Sequence, residues 1–296
     1  MLNTMKISRR ALMALAALSM ISALPVHAEE TKPLDTSRLV TIGGAVTEIV
    51  FDLGLGDKVI ARDTTSYFPE QVTKLPDIGY MRQLSPEGVL SVNPSAILMI
   101  EGSGPKGAIE VLGKAAVPVV TIPEGYDKDA IVAKIKAVGK ALNVEAKADA
   151  LAAKVGADVD AATAAVAKIP EDQRKRVLFI LSMQNGKIMA AGDHTAASGI
   201  LKLAGAINVA SGFHGYKALN DEAIIDAKPD AILMMVQGGP SSATDAEILA
   251  NPAVALTPAG KNKALIRMGS LTLLGFGPRT AEAIRDLSRA LYRTGG

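Results

Sequence analysis

Residues 84–105, LSPEGVLSVNPSAILMIEGSGP, and residues 219–240, LNDEAIIDAKPDAILMMVQGGP, are two versions of one pattern. At a constant offset of 135 positions, Leu84 meets Leu219, Glu87 meets Glu222, Pro94 meets Pro229 and Pro105 meets Pro240. The triplet Ala96-Ile97-Leu98 likewise meets Ala231-Ile232-Leu233. Each copy predicts a short helix beginning after Pro86 or Asp221, a proline that breaks it, and an apolar run entering a buried strand. A match without insertion or deletion over the whole block implies a chain made of two similar halves. Upstream, Gly79-Tyr80 has a counterpart in Gly215-Tyr216, displaced by one position.

The halves also open alike. Arg38–Ile42 reads as a strand, followed by Gly43-Gly44 and a helix through Thr47–Leu53. Arg176–Ser182 reads as a strand, then comes a turn at Gly186, a second strand over Ile188–Ala191 and a helix near Ala196–Leu203. Apolar strands alternating with helical segments predict an α/β fold of two lobes with mainly parallel sheets. Between them, Val144–Lys168 is rich in Ala, Lys, Glu and Asp, which predicts one helix of about 25 residues acting as a strut. The expected layout is an N-terminal lobe over 29–143, an inter-lobe helix over 144–168 and a C-terminal lobe over 169–296.

The first 28 residues read as an address. Lys6, Arg9 and Arg10 precede the apolar stretch Ala11–Leu24, and Val26-His27-Ala28 offers small residues at a cleavage position. Ser8-Arg9-Arg10 hints at twin-arginine export. Cleavage after Ala28 would leave 29 basic against 30 acidic residues, near neutrality. That balance, with aromatics at 3%, argues against nucleic acid as a partner. With no Cys and three His, disulfides, thiolate metal sites and His-rich cages are disfavoured. An exported, cysteine-free chain suits a bacterial periplasm. No GxSxG elbow, HExxH or phosphate-binding loop is present, so nothing supports an enzyme.

Two α/β lobes, a leader and a helical strut resemble the periplasmic binding proteins of ABC importers for siderophores, vitamin B12 and haem. Within that group, Gly79-Tyr80-Met81-Arg82-Gln83-Leu84-Ser85-Pro86-Glu87-Gly88 resembles the haem-specific branch. Asp63-Thr64-Thr65-Ser66 and Leu274-Gly275-Phe276-Gly277-Pro278-Arg279 are similar to that branch too. The resemblance implies capture of ferric haem b (hemin) between the lobes, with Tyr80 as axial ligand of the iron. It also implies delivery to a permease and ATPase complex of an ABC transporter, with an outer-membrane haem receptor system as donor. Glu87 and Glu222, one per lobe, match the positions that dock on permease arginines; a Glu in a first helical turn also complements the helix dipole.

The chemistry suits haem. A ferric ion stabilises the phenolate outright, and tyrosine is a known axial ligand of haem iron. Arg82 either supports the phenolate or pairs with a propionate, where a bidentate fork fits. Met183, at a predicted strand end, stands where some relatives carry a His; it packs either against the porphyrin or into the core. His214 lies in a loop that mirrors the Tyr80 loop and is a candidate cleft residue; His194 opens a helix, where an N-cap turn is the alternative. Tyr216 reads more as loop packing than as a ligand. Arg279 either meets a propionate across the cleft or caps structure. A siderophore or a corrinoid on the same fold is the alternative cargo.

Overall fold

The structure, a computed structural model, describes residues 33–236 and 243–292. The leader expected over residues 1–28 lies outside the described residues, as does the end of the second repeat copy, 237–240.

The first half runs β1 (Leu39–Ile42), α1 (Gly44–Asp52), β2 (Val59–Arg62), α2 (Pro86–Ser91), β3 (Ala96–Ile100), α3 (Lys106–Gly113), β4 (Val119–Ile122) and α4 (Lys128–Ala141). Its four strands form a wholly parallel sheet in the order β2-β1-β3-β4. After α5 (Glu145–Val166) come β5 (Arg176–Gln184), β6 (Lys187–Ala191), α6 (Ala196–Leu203), β7 (Ile207–Asn208), β8 (Tyr216–Leu219), α7 (Asp221–Ala227) and β9 (Ala231–Val236). The chain closes with α8 (Asp245–Leu249), α9 (Pro252–Leu256), α10 (Pro258–Lys261), β10 (Leu265–Gly269), α11 (Ser270–Leu274) and α12 (Thr280–Tyr292). The second sheet has the order β10-β9-β5-β6-β8, with β7 beside the start of β5. It is mixed, because β6 turns back antiparallel to both β5 and β8. This is the two-lobe α/β architecture expected.

The repeat is visible atom by atom. Ser85 caps α2 by accepting from Gly88 N, and Asn220 caps α7 by accepting from Ala223 N. Such caps satisfy backbone donors that have no partner inside the helix. The helices do not end at the prolines, as the sequence suggested. They end at Ser91 and Ala227, and the residue just before each proline, Asn93 and Lys228, has a φ of 51° and 43°, in the left-handed region. Arg38 then reaches back to the carbonyl of Val92, and Arg176 to that of Ala227, the two carbonyls again 135 positions apart. Leu39 pairs with Ala96 in the first sheet, and Val177 with Ala231 in the second.

Helix α5 is 22 residues long, about 33 Å at 1.5 Å per residue. It buries Ala148, Ala152, Val155, Val159, Ala162 and Val166, one face at helical spacing. That face packs along α4 and α12. The approach to α4 is close: a side-chain carbon at Gly139 would stand 2.1 Å from the Ala148 methyl. Among the described residues no helix is long and apolar enough to cross a membrane.

Candidate ligand site between the lobes

Tyr80 is presented by a loop folded back on the end of β2. Arg62 N donates to Pro76 O, Ile78 N to Arg62 O and Thr64 N to Gly79 O. Asp77 holds the turn: Oδ2 accepts from Arg62 at 2.7 Å, and Oδ1 accepts from Gly79 N at 2.9 Å and from the Thr64 hydroxyl. Gly79 then turns the chain at φ +97°, a conformation open mainly to glycine. Ile78, Met81 and Leu84 are buried as anchors, and the chain between them leaves Tyr80 and Arg82 outside. Gly104 N donates to Met81 O and Leu84 N to Gly104 O, fixing this loop to the end of β3.

The Arg82 Nη1 donates to the Tyr80 hydroxyl oxygen at 2.8 Å. Desolvation works against the Arg82 charge, but the hydrogen bond to Tyr80 and the pull of Tyr80, Tyr216 and Tyr126 outweigh it, holding its pKa above the ordinary value. Three of the five tyrosines therefore act on one guanidinium. Tyr126 comes from the loop between β4 and α4. Its ring meets Phe276 edge-on at 5.3 Å, and Gly199 of α6 lies against it, with only 2.6 Å available for a side-chain carbon. Burial first, then Glu124 and Glu101, push the Tyr126 phenol up, against Arg82. Tyr216 comes from the second half. Burial raises its phenol, with smaller contributions from Tyr126 and Tyr80, and Arg82 pulls the other way.

The wall carrying Tyr216 is a zipped pair of loops. Gly192 N donates to Gly215 O, Asp193 N to Phe213 O, Gly215 N to Asp193 O and Gly212 N to Asp193 Oδ2. Gly215 has φ +76°, repeating the turn at Gly79. His214 lies against His194 across this zipper, with ring centroids 4.4 Å apart and the planes tilted by 34°.

Behind the site, Lys134 is wholly buried and donates to Glu124 Oε1 at 2.5 Å and to Phe276 O at 3.2 Å. Burial lowers its pKa, against the attraction of Glu124. The carboxylate it holds also accepts from Gly125 N, so Lys134 braces the Tyr126 loop against the turn before α12.

The sequence candidates fall into three groups. Tyr80 and Arg82 meet directly. Glu87 and Glu222 are exposed in the first turns of α2 and α7; Glu87 accepts from the Ser85 hydroxyl, which holds its carboxyl below the usual range. Met183 and Arg279 have other partners. Met183 packs with the smaller apolar cluster and its sulfur accepts from Asn251. Arg279 grips Glu48 with two nitrogens at 2.8 and 3.0 Å, donates to Thr272 and lies 3.7 Å over the Phe68 ring. Its fork is filled by a carboxylate of this chain, which is 3% exposed and raised in pKa chiefly by burial. Sequence reasoning overlooked Tyr126. Its signal was Gly125-Tyr126, the third Gly-Tyr dipeptide beside Gly79-Tyr80 and Gly215-Tyr216.

Two α/β lobes, with Tyr80, Tyr126 and Tyr216 grouped around Arg82, are the architecture of a two-lobe solute-binding protein. The chain belongs to the periplasmic binding protein family, whose model matches residues 39–271. Among solved structures it is similar to the periplasmic heme-binding protein RhuT from Roseiflexus sp. RS-1, with 36% identity and a TM-score of 0.82, over 86% of this chain and 98% of that one. It is also similar to the periplasmic heme-binding protein BhuT in complex with two hemes, with 37% identity and a TM-score of 0.80, over 86% and 97%. A curated relative, the uncharacterized ABC transporter substrate-binding lipoprotein YvrC of Bacillus subtilis (strain 168), is 30% identical over 67% of this chain and 63% of its own length. Vitamin B12-binding protein of Yersinia pestis (strain Pestoides F) is 28% identical over 35% of each. The chain thus spans less than two thirds of the length of these curated relatives.

Proposed function

We propose that this protein captures ferric haem between its lobes, with Tyr80 as the iron ligand, and delivers it to an ABC transporter permease. The observation carrying the reading is the Tyr80–Arg82 pair. An exposed phenol oxygen already accepts a guanidinium hydrogen bond, the arrangement that supports a phenolate against a ferric ion. A hard anionic oxygen prefers Fe(III), the oxidised form expected outside the cytoplasm. The two structural neighbours, both periplasmic heme-binding proteins, support the same cargo. Exposed Glu87 and Glu222, placed identically in the two repeat copies, are the proposed contacts to permease arginines. Export to the periplasm by cleavage after Ala28, the lobe boundaries at 143 and 169, and an outer-membrane haem receptor system as donor belong to the same reading.

The corrinoid alternative has its own support in the vitamin B12-binding relatives. Titrating the purified protein with hemin and, separately, with cyanocobalamin distinguishes the two. Saturable binding of hemin, with a Soret shift and high-spin charge-transfer bands, is expected. Saturation by the corrinoid alone would exchange the cargo.

A further inference from the structure

We propose that His194 and His214, two of the chain's three histidines, form a two-imidazole site for a divalent transition metal ion, Cu(II) above all, in the second half of the chain. The site is independent of the haem reading, and its ligand is a free metal ion rather than a porphyrin. Both side chains are exposed. Their ring centroids are 4.4 Å apart, with the planes tilted by 34°. Among the described residues neither imidazole takes part in a hydrogen bond or an ion pair, so the ring nitrogens are open to a metal. Neutral imidazole is the commonest metal ligand in proteins.

The ring spacing selects the metal. An ion about 2.0–2.1 Å from an imidazole nitrogen lies about 3.2 Å from the centroid of that ring. Turning a ring about χ2 changes the nitrogen it offers but leaves its centroid nearly in place, so the spacing outlasts such a turn. Two rings with centroids 4.4 Å apart therefore subtend about 90° at a shared ion. A tetrahedral pair, at about 109°, would need about 5.2 Å, which disfavours Zn(II). Nitrogen ligands at right angles belong to tetragonal Cu(II) and Ni(II) sites, and Cu(II) stands higher in the affinity order.

The pair is also held ready. Asp193 N donates to Phe213 O at 2.7 Å and Gly215 N to Asp193 O at 3.0 Å, and Asp193 bridges to His214 in strand-like pairing. His194 has φ +57° and directly precedes Thr195, whose side chain closes the capping box of α6. Both backbones are thus fixed before an ion arrives, which lowers the ordering cost of binding. The neighbouring Asp193 accepts from Gly212 N through Oδ2. Among the described residues no group of three or more His, Asp or Glu surrounds an ion. The metal takes two protein nitrogens and keeps water at its other positions.

The test titrates Cu(II) into the purified protein, prepared without a histidine tag, and into His194→Asn, His214→Gln and Tyr80→Phe. Affinity comes from calorimetry, and pulsed electron paramagnetic resonance counts the imidazoles on the ion. Asparagine tolerates the left-handed backbone at 194, and circular dichroism checks that each variant folds. Wild type should bind one Cu(II) through two imidazoles. Loss of a second-shell partner costs about 10–100-fold in metal affinity, so loss of either ligand should cost at least about tenfold and leave at most one imidazole. Tyr80→Phe should bind copper as wild type does, whether or not hemin binds. Copper held equally by wild type and both His variants would be an adventitious ion only and would overturn the site. Fewer than two imidazoles on wild-type copper, or loss of copper in Tyr80→Phe, would overturn it too. Failure of hemin binding with these copper results intact would remove the haem reading and leave this site standing.

Discussion

Replacing Arg82 by Met removes one hydrogen bond and one cation while keeping a chain of similar reach. The lost contact is the 2.8 Å bond from Nη1 to the Tyr80 oxygen. A hydrogen bond to a charged group is worth about 1.5–3 kcal/mol, and the solvent access of Tyr80 puts this one at the low end. At about 1.4 kcal/mol per factor of ten, hemin binding should weaken about tenfold. The pH dependence gives an independent reading. Iron and proton compete for the same phenolate oxygen, so coordination strengthens as pH rises and fails as it falls. Without the guanidinium the iron–oxygen bond is weaker, so the acid midpoint for losing the iron–phenolate band should move up. Hemin titrations at stepped pH measure both quantities. Unchanged affinity and midpoint would refute the claim that Arg82 supports the iron-bound phenolate. Weaker binding with an unchanged midpoint would move Arg82 to a propionate.

Other outcomes follow from the same geometry. Arg279→Met strands Glu48, which is almost wholly buried, and should cost about 3–5 kcal/mol in urea unfolding at pH 7. Burial raises the Glu48 pKa, so the folded state of this variant takes up a proton above pH 4.5, and the loss should shrink as pH falls towards that value. A pH-independent loss would mean that Glu48 is not the cause. Lys134 has a lowered pKa, so the unfolded chain binds more protons in the alkaline range below 10.5, and stability should rise with pH there. That slope should vanish in Lys134→Met; its persistence would assign it to another group. Reversing the charge at both Glu87 and Glu222 should abolish haem uptake by cells while hemin binding by the purified protein stays normal. Normal uptake would remove them from permease docking.

Much of the fold was written locally. The apolar runs Ala96-Ile97-Leu98 and Ala231-Ile232-Leu233 became the paired strands that the repeat implied, because a strand buried on both faces needs nothing beyond its own side chains and its neighbours. The ends of α2 and α7 were legible only in part. Proline was an obvious breaker, but a left-handed Lys228 has no sequence mark as a glycine would. In the site, Tyr80 and Arg82 are two residues apart, so their meeting depends on one turn. Arg279 and Glu48 are 231 positions apart, and no local pattern announces that an arginine near the chain's end has its carboxylate in α1. Tyr126 was hidden for the same reason, since its relation to Arg82 exists only once the β4–α4 loop and the β2–α2 loop lie side by side.

The account depends on one bond, between iron and the oxygen of Tyr80. A structure of the protein loaded with hemin tests it most directly. The account predicts Tyr80 Oη bonded to the iron, with Arg82 still donating to that oxygen. A Tyr80 ring turned away from the porphyrin, with the metal held by another group, would contradict it.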